Sequence, residues 1–374
     1  MKWTCNKNEL INCVNIAQRA VSQKSTLSAL EGLMIKTSDG AIKITGYDLE
    51  IGIECVMEAE IIRDGGIVLS AKTFSGIIRK LPAESVTVET DDNYKTVITC
   101  GQAEYVILGQ STEDFPELPI VEGTPAVSIP ENMLKVMIRQ SIFALSQNME
   151  GKPVYTGALF EAGEGELKII SVDGFRLAIR KEKIDTAEKD GISFIIPGKT
   201  LNELIKILSD TDILCDITVT KKHTVIKTQE CVIISRLIEG EFINYNQAVP
   251  DQKTISFVCS AKAFADSVER AALLISEKTK NPIKCKFCLN EIGINLSSPI
   301  GNFSDFVAMK TEDSKEETVV MGFNDKYLLD AIKGSEENEI LVEIVGALSP
   351  LIIKPTEGDN FLYIVLPVRL REDE

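Results

Sequence analysis

The strongest constraint on this chain is that it repeats itself three times. Residues 8–22 (NELINCVNIAQRAVS), 132–146 (NMLKVMIRQSIFALS) and 262–276 (KAFADSVERAALLIS) share one spacing. Leu10, Val14, Ala17 and Val21 in the first match Leu134, Ile138, Ser141 and Leu145 in the second, and Phe264, Val268, Ala271 and Ile275 in the third, at i, i+4, i+7 and i+11. That spacing is one apolar face of an amphipathic helix, so the same helix is expected at offsets of 124 and 130 residues. A second helix recurs in AKTFSGIIRKL (71–81) and GKTLNELIKIL (198–208), where Phe74, Ile77, Ile78 and Leu81 match Leu201, Leu204, Ile205 and Leu208. The third version, NDKYLLDAIKG (324–334), is weaker and is expected to keep the pattern only through Tyr327, Ala331 and the neighbouring leucines.

Strand–turn–strand runs follow in each copy: 41–57, 166–180 and 292–309. Each copy closes on a further strand, at 103–109, 230–237 and 360–368. Matching turns follow the first two, with Phe115 and Phe242 separated by 127 residues. The expected fold class is therefore α+β, in three units at 1–124, 125–252 and 253–374, each with two helices and antiparallel sheets. Units of that size are domains rather than the roughly 20–45-residue repeats of a solenoid.

Composition narrows the function. No apolar run approaches the roughly 18 residues of a membrane helix, and MKWTCNKNELINC lacks a signal-peptide apolar region, so a cytoplasmic protein with no membrane partner is expected. Nine scattered cysteines suit buried thiols better than a disulfide framework. The single histidine, His223, leaves little for histidine acid–base work or a zinc site. Cys285 and Cys288 form a C-x-x-C without further ligands, and PGKT (197–200) lacks the upstream glycine of a P-loop. Asp48 and Asp173 recur at turns, where turn chemistry accounts for them. Neither a catalytic residue, a metal site nor a cofactor is expected. An enzyme using the cysteine pair or PGKT, and a three-domain protein scaffold, are two readings of such a chain.

SVDGFRLA (171–178), LIEGEFINY (237–245) and YIVLPVRL (363–370), in register with the triplication, resemble the bacterial DNA polymerase III beta-subunit family of sliding clamps over the whole chain. The resemblance implies three clamp domains forming half of a six-domain ring, closed by a head-to-tail homodimer, with helices lining a hole for duplex DNA. It implies a non-catalytic processivity factor. Its partners would be duplex DNA, a second copy of itself, the replicative polymerase, the clamp loader and other proteins carrying a clamp-binding motif.

A ring of this kind should be basic inside and acidic elsewhere. The net charge is −16, which by itself argues against a DNA partner. The six helical segments (6–24, 71–80, 131–139, 198–206, 261–280 and 324–334) nevertheless carry +8 on 78 residues, leaving −24 on the other 296. A modest positive lining gives weak, sequence-independent phosphate contacts, which permit sliding. The resemblance implies DNA contacts at Lys24, Arg79, Lys80 and Lys199, with Arg139 and Lys152 beside them.

It further implies a partner-peptide groove walled by Tyr155, Val172, Gly174, Phe175, Arg176, Leu177, Ile243, Gln247, Ala248, Asn324, Tyr327, Leu348 and the run Ile364, Val365, Leu366, Pro367, Val368, Arg369, Leu370. Apolar residues would supply area, Arg176 and Arg369 would orient peptide carbonyls or carboxylates, and Pro367 would leave an unpaired edge. Alternate residues of 363–368 would face a core in any case. The family often has His where Phe175 stands and Pro where Ile243 stands. The chain also continues past Leu370 through Arg371, Glu372, Asp373 and Glu374, an acidic tail expected to tune access to the groove. The implied dimer contact joins Tyr105 and Ile107 to Leu273 and Leu274, residues that core packing would also accommodate.

Overall fold

A computed structural model describes residues 1–147, 151–184, 191–250, 255–276, 281–311 and 318–370. The acidic tail 371–374 lies outside the described residues.

The first copy contains β1 (Lys2–Asn6), α1 (Lys7–Ala17), β2 (Gly32–Ser38), β3 (Ala41–Tyr47), β4 (Ile51–Glu58), β5 (Glu60–Arg63), β6 (Gly66–Ser70), α2 (Ala71–Lys80), β7 (Ser85–Thr90), β8 (Lys95–Cys100) and β9 (Ala103–Leu108). The second contains β10 (Val127–Pro130), α3 (Glu131–Arg139), β11 (Gly157–Gly163), β12 (Glu166–Val172), β13 (Arg176–Lys183), β14 (Ile192–Pro197), α4 (Gly198–Ile207), β15 (Leu214–Val219), β16 (His223–Lys227) and β17 (Cys231–Arg236). The third contains β18 (Ile255–Ser260), α5 (Ala261–Ala272), β19 (Ile283–Cys288), β20 (Glu291–Ser298), β21 (Gly301–Thr311), β22 (Val319–Phe323), α6 (Asp325–Gly334), β23 (Glu339–Ile344), β24 (Leu351–Pro355) and β25 (Phe361–Val365). Among the described residues every copy runs strand, helix, four strands, helix, three strands, with β5 in addition in the first.

Of the three sheets among the described residues, two cross the copy boundaries. One has five strands, β5-β1-β7-β8-β9; one has eight, β10-β15-β16-β17-β4-β3-β2-β6; and one has twelve, β14-β11-β12-β13-β25-β24-β23-β18-β21-β20-β19-β22. β17 pairs antiparallel with β4 through Ile233 and Ile53, and β13 pairs likewise with β25 through Ala178 and Tyr363. The chain accordingly divides into two compact units, Met1–Asn132 with Asn202–Leu237, and Met133–Leu201 with Ile238–Glu374. The central copy is divided because its backbone donors and acceptors are satisfied in two different sheets.

One register serves all six helices. Counting from the residue before each helix, positions four, seven, eight and eleven turn inward: Leu10, Cys13, Val14 and Ala17 in α1, and Phe264, Ser267, Val268 and Ala271 in α5, are all buried. Asn6, Ser70, Ser260 and Asn324 cap α1, α2, α5 and α6, their side chains accepting from backbone N–H groups at 2.8, 3.4, 3.3 and 3.1 Å. The caps correct the expected pattern of the third copy. Aligned on Ser70 and Asn324, Phe74 corresponds to Leu328, and the buried stripe of α6 is Leu328, Ala331, Ile332 and Ser335. Tyr327 falls one position off the stripe and is half-buried. The first helices also stop earlier than their periodicity suggests. Gln18–Ala20 and Ile142–Ala144 are 3₁₀ turns, and Ser141 donates its hydroxyl to the carbonyls of Met137 and Ile138 where α3 ends.

Candidate functional site

The unit built from Met133–Leu201 and Ile238–Glu374 carries an apolar side-chain cluster on one sheet face, where the partner groove is expected. Residues directly opposite on paired strands share a face, so the register places Val172, Leu177, Ile364 and Ile352 in one row across β12, β13, β25 and β24. A second row runs Leu159, Ile170, Ile179 and Leu362. Tyr155, Phe242, Ile243 and Tyr245 pack on these rows, with the Tyr155 and Phe242 rings edge to face at 5.7 Å. Of the other residues expected at the groove, Phe175 (58% exposed), Leu366 (39%), Leu348 (77%), Val368, Gln247 and Ala248 are exposed. The Phe175 ring stacks on Tyr327, centroids 5.8 Å apart.

Several groove residues stand elsewhere than expected. Strand alternation turns Val365 away from Ile364 and into the core beneath α5 and α6. Arg176 lies opposite Val365 and shares that reverse face. Its guanidinium donates to Asp173 Oδ2 at 3.0 Å and Asp330 Oδ2 at 2.5 Å and lies over the Tyr327 ring at 4.5 Å, so it is a buried strut rather than a peptide anchor. Asn324 spends its side-chain carbonyl on the α6 cap. Pro367 does not leave its neighbours unpaired: the Leu366 N–H donates to the Phe175 carbonyl at 2.9 Å and the Val368 N–H to the Gly322 carbonyl at 2.8 Å. Leu370 lies against Gly322, beside a hollow lined by Lys284, Asn295 and Phe303. Arg369 is exposed.

Gly174 has a structural reason. It sits at φ +93° in a turn where Asp173 Oδ1 accepts from the Phe175 and Arg176 N–H groups, at 2.9 and 3.0 Å. The first copy builds the same turn, with Asp48 accepting from Glu50 and Ile51, but Leu49 takes the left-handed position at φ +75°.

The first copy also provides an internal contrast for the groove. The counterpart of Leu177 is Gly52, which lies opposite both Tyr47 and Ile234. A Cβ at Gly52 would come within 2.8 Å of the Leu118 side chain, so this chain's own Leu118 fills that place. The counterparts of Ile170 and Ile179 are Thr45 and Glu54. The same topology therefore carries an extended apolar face in one unit and a plugged, polar one in the other.

Cations on the helices fall into two groups. Arg19 pairs with Glu203, Arg139 with Glu336, Lys206 with Glu203, Lys262 with Asp266, Arg270 with Asp305 and Lys333 with Glu269. The hydrogen bond from Arg270 holds the Asp305 carboxyl below its usual range, helped by the Ser267 hydroxyl. Among the described residues Lys24, Lys72, Arg79, Lys80 and, in the third copy, Lys326 are exposed without a carboxylate partner. Lys199 is exposed in the first turn of α4. Lys152 stands over the Tyr155 ring at 5.4 Å, which places it at the groove rather than on a helix.

Among the sheet margins of the described residues, two open ones carry exposed apolar side chains. β9 ends its sheet and exposes Tyr105 and Ile107 on one face to different degrees, and Val106 and Leu108 on the other. β21 pairs with β20 along Gly301–Ala308 but with β18 only at Met309–Thr311, leaving a half-edge that carries the exposed Phe306. Leu273 at the end of α5 is exposed, whereas Leu274 packs partly on the core. Val106, Leu108 and Phe306 were not singled out by sequence; their signal is the apolar residue on the outward phase of a strand.

The remaining sequence signals resolve as structure. Cys285 is in the core and Cys288, three residues on along β19, is on the opposite face, so the two cannot hold one ion. Burial pushes the Cys285 thiol up to about 12. His223 opens β16 opposite Arg236, and burial together with that charge holds its pKa below the usual value. No helix among the described residues is long and apolar enough to cross a membrane.

A thrice-repeated two-helix, many-stranded unit with sheets running across the copies defines a DNA-clamp architecture. The comparisons agree. Residues 1–119, 128–244 and 246–369 match the N-terminal, central and C-terminal domains of the DNA polymerase III beta subunit. The chain is 35% identical to the beta sliding clamp of Bacillus subtilis and 33% identical to that of Halalkalibacterium halodurans, covering 99% of this chain and 100% of each relative. It superposes on the crystal structure of the Bacillus subtilis sliding clamp with a TM-score of 0.95 (34% identity, 99% and 100% coverage). A putative beta subunit from Eubacterium rectale gives a TM-score of 0.93 (35% identity, 98% and 99% coverage). The chain belongs to the DNA polymerase III beta-subunit family, the bacterial sliding clamps. That family is one of non-catalytic processivity factors.

Proposed function

We propose that two copies of this chain close head to tail into a ring around duplex DNA and tether the replicative polymerase, the clamp loader and other proteins through the groove built on Val172, Leu177 and Ile364. The contrast between the two sheet faces carries the groove assignment: Leu177, Ile170 and Ile179 stand where the first copy has Gly52, Thr45 and Glu54. An apolar floor with an aromatic rim suits an extended peptide bearing apolar side chains. The acidic tail 371–374 tunes entry to that groove.

The two open margins support ring closure. β9, with Tyr105 and Ile107, pairs in this reading with the free half of β21 on a second copy, and Leu273 and Leu274 close over it. Edge pairing satisfies backbone groups and hides apolar residues on both sides. Lys24, Arg79, Lys80 and Lys199 face the phosphates, with Lys152 near the groove. Arg139, committed to Glu336, contributes less. Domain limits of 1–124, 125–252 and 253–374 suit this reading.

Sedimentation equilibrium with small-angle scattering tests the ring. Two chains per particle with a central hole is the expected result; a monomer at micromolar concentration overturns it.

A further inference from the structure

We propose that Asn15 is a positioning residue that fixes the Arg79 guanidinium for a DNA phosphate while leaving its charge uncompensated. The inference rests on the reading that duplex DNA meets the helices.

The triplication supplies the comparison. Counted from the residue before each helix, position nine is Asn15 in α1, Arg139 in α3 and Glu269 in α5, and it is Arg79, Lys206 and Lys333 in α2, α4 and α6. In the third copy the two position-nine residues meet as an ion pair, Glu269 with Lys333. In the second, both are cations, and each meets another carboxylate, Arg139 that of Glu336 and Lys206 that of Glu203, which Arg19 shares. In the first copy the same place holds an amide. Asn15 Oδ1 accepts from Arg79 Nη2 at 2.7 Å and from Gln18 Nε2 at 3.1 Å. The second donor locks the amide, and the amide orients the guanidinium.

The consequence is electrostatic. A carboxylate at position nine would cancel the guanidinium charge before DNA arrives, as Glu269 does for Lys333. An amide gives orientation without cancellation. Arg79 is exposed at the last turn of α2, beside Lys80 and on the helix that also carries Lys72, and no carboxylate among the described residues pairs with any of the three. The position-nine charge is therefore unevenly available: the first copy presents it as Arg79, whereas Arg139, Lys206 and Lys333 each meet a carboxylate within the protein.

The test is the salt dependence of duplex binding by the full-length protein, read by anisotropy of a labelled duplex at 50–200 mM KCl. Each phosphate neutralised by the protein adds about 0.9 to the slope of log K against log salt. Asn15→Glu is expected to flatten the slope by about 0.9 for each phosphate no longer neutralised, as Arg79→Gln does. Asn15→Gln, which keeps a neutral acceptor, is expected to retain the parent slope. Glu269→Gln, which releases Lys333, is expected to steepen it by a similar amount. A parent protein with salt-dependent binding that Arg79→Gln flattens and Asn15→Glu leaves unchanged overturns the positioning role alone, and so does an unchanged slope in Glu269→Gln. A dimeric parent protein whose duplex binding does not depend on salt overturns the DNA reading and this inference with it.

Discussion

Replacing Arg176 by Met tests whether the rim of the groove is held by a buried ion rather than by packing. The guanidinium contact to Asp173, with both side chains about nine-tenths buried, contributes about 2 kcal/mol as a charge-assisted hydrogen bond. Asp330 is 44% exposed, so its share is about 0.5 kcal/mol. The Tyr327 ring contact adds about 1 kcal/mol. Met keeps most of the aliphatic packing, and Asp173 keeps its two backbone donors, so the expected loss is about 3 kcal/mol. In a chain of two compact units a single global unfolding free energy is poorly defined. Hydrogen exchange over 173–178 is the suitable assay, and the loss corresponds to exchange about a hundredfold faster. Asp330→Asn should accelerate it by less than about threefold. A change below about tenfold in Arg176→Met, or equal effects of the two substitutions, would refute the argument.

Leu366→Asp should weaken binding of a polymerase-derived peptide by about tenfold or more, because a charge replaces apolar rim area, while leaving the melting temperature nearly unchanged; isothermal calorimetry reads it. Leu49→Asn should raise stability by about 1 kcal/mol in thermal melts, since Asn tolerates the left-handed turn that Leu occupies at a cost. Thiol titration of the native protein with Ellman's reagent at pH 8 should show one fast cysteine, absent in Cys288→Ser. The Cys5, Cys215, Cys259 and Cys285 thiols, each raised to about 12 chiefly by burial, should react only on unfolding.

The helices were legible because amphipathic spacing survives divergence: Leu10, Leu134 and Phe264 differ in type but share a position. The α6 stripe was legible in part, through Ala331 and the leucine beside Tyr327, because Tyr327 resembles Phe74 in kind whereas the cap at Asn324 sets the register. The α+β class and the threefold order followed from sequence. The sharing of the central copy between two sheets did not, because β17–β4 and β13–β25 pairings leave no local signal. In the groove, Val172, Leu177 and Ile364 could be carried over from the family motifs. The commitment of Arg176 to Asp173 and Asp330, and the turning of Val365 to the other face, depend on strand phase. The charge partition was visible in composition, but the ion pairs that consume Arg139 and Lys333 join residues far apart in sequence.

The central claim is that this protein holds DNA by enclosing it. After loading onto a nicked circular duplex and isolation by gel filtration, the protein should remain bound through a moderate-salt wash and be released once the circle is cut open by a restriction enzyme. Retention that is equal on the circular and the linearised DNA would contradict the account.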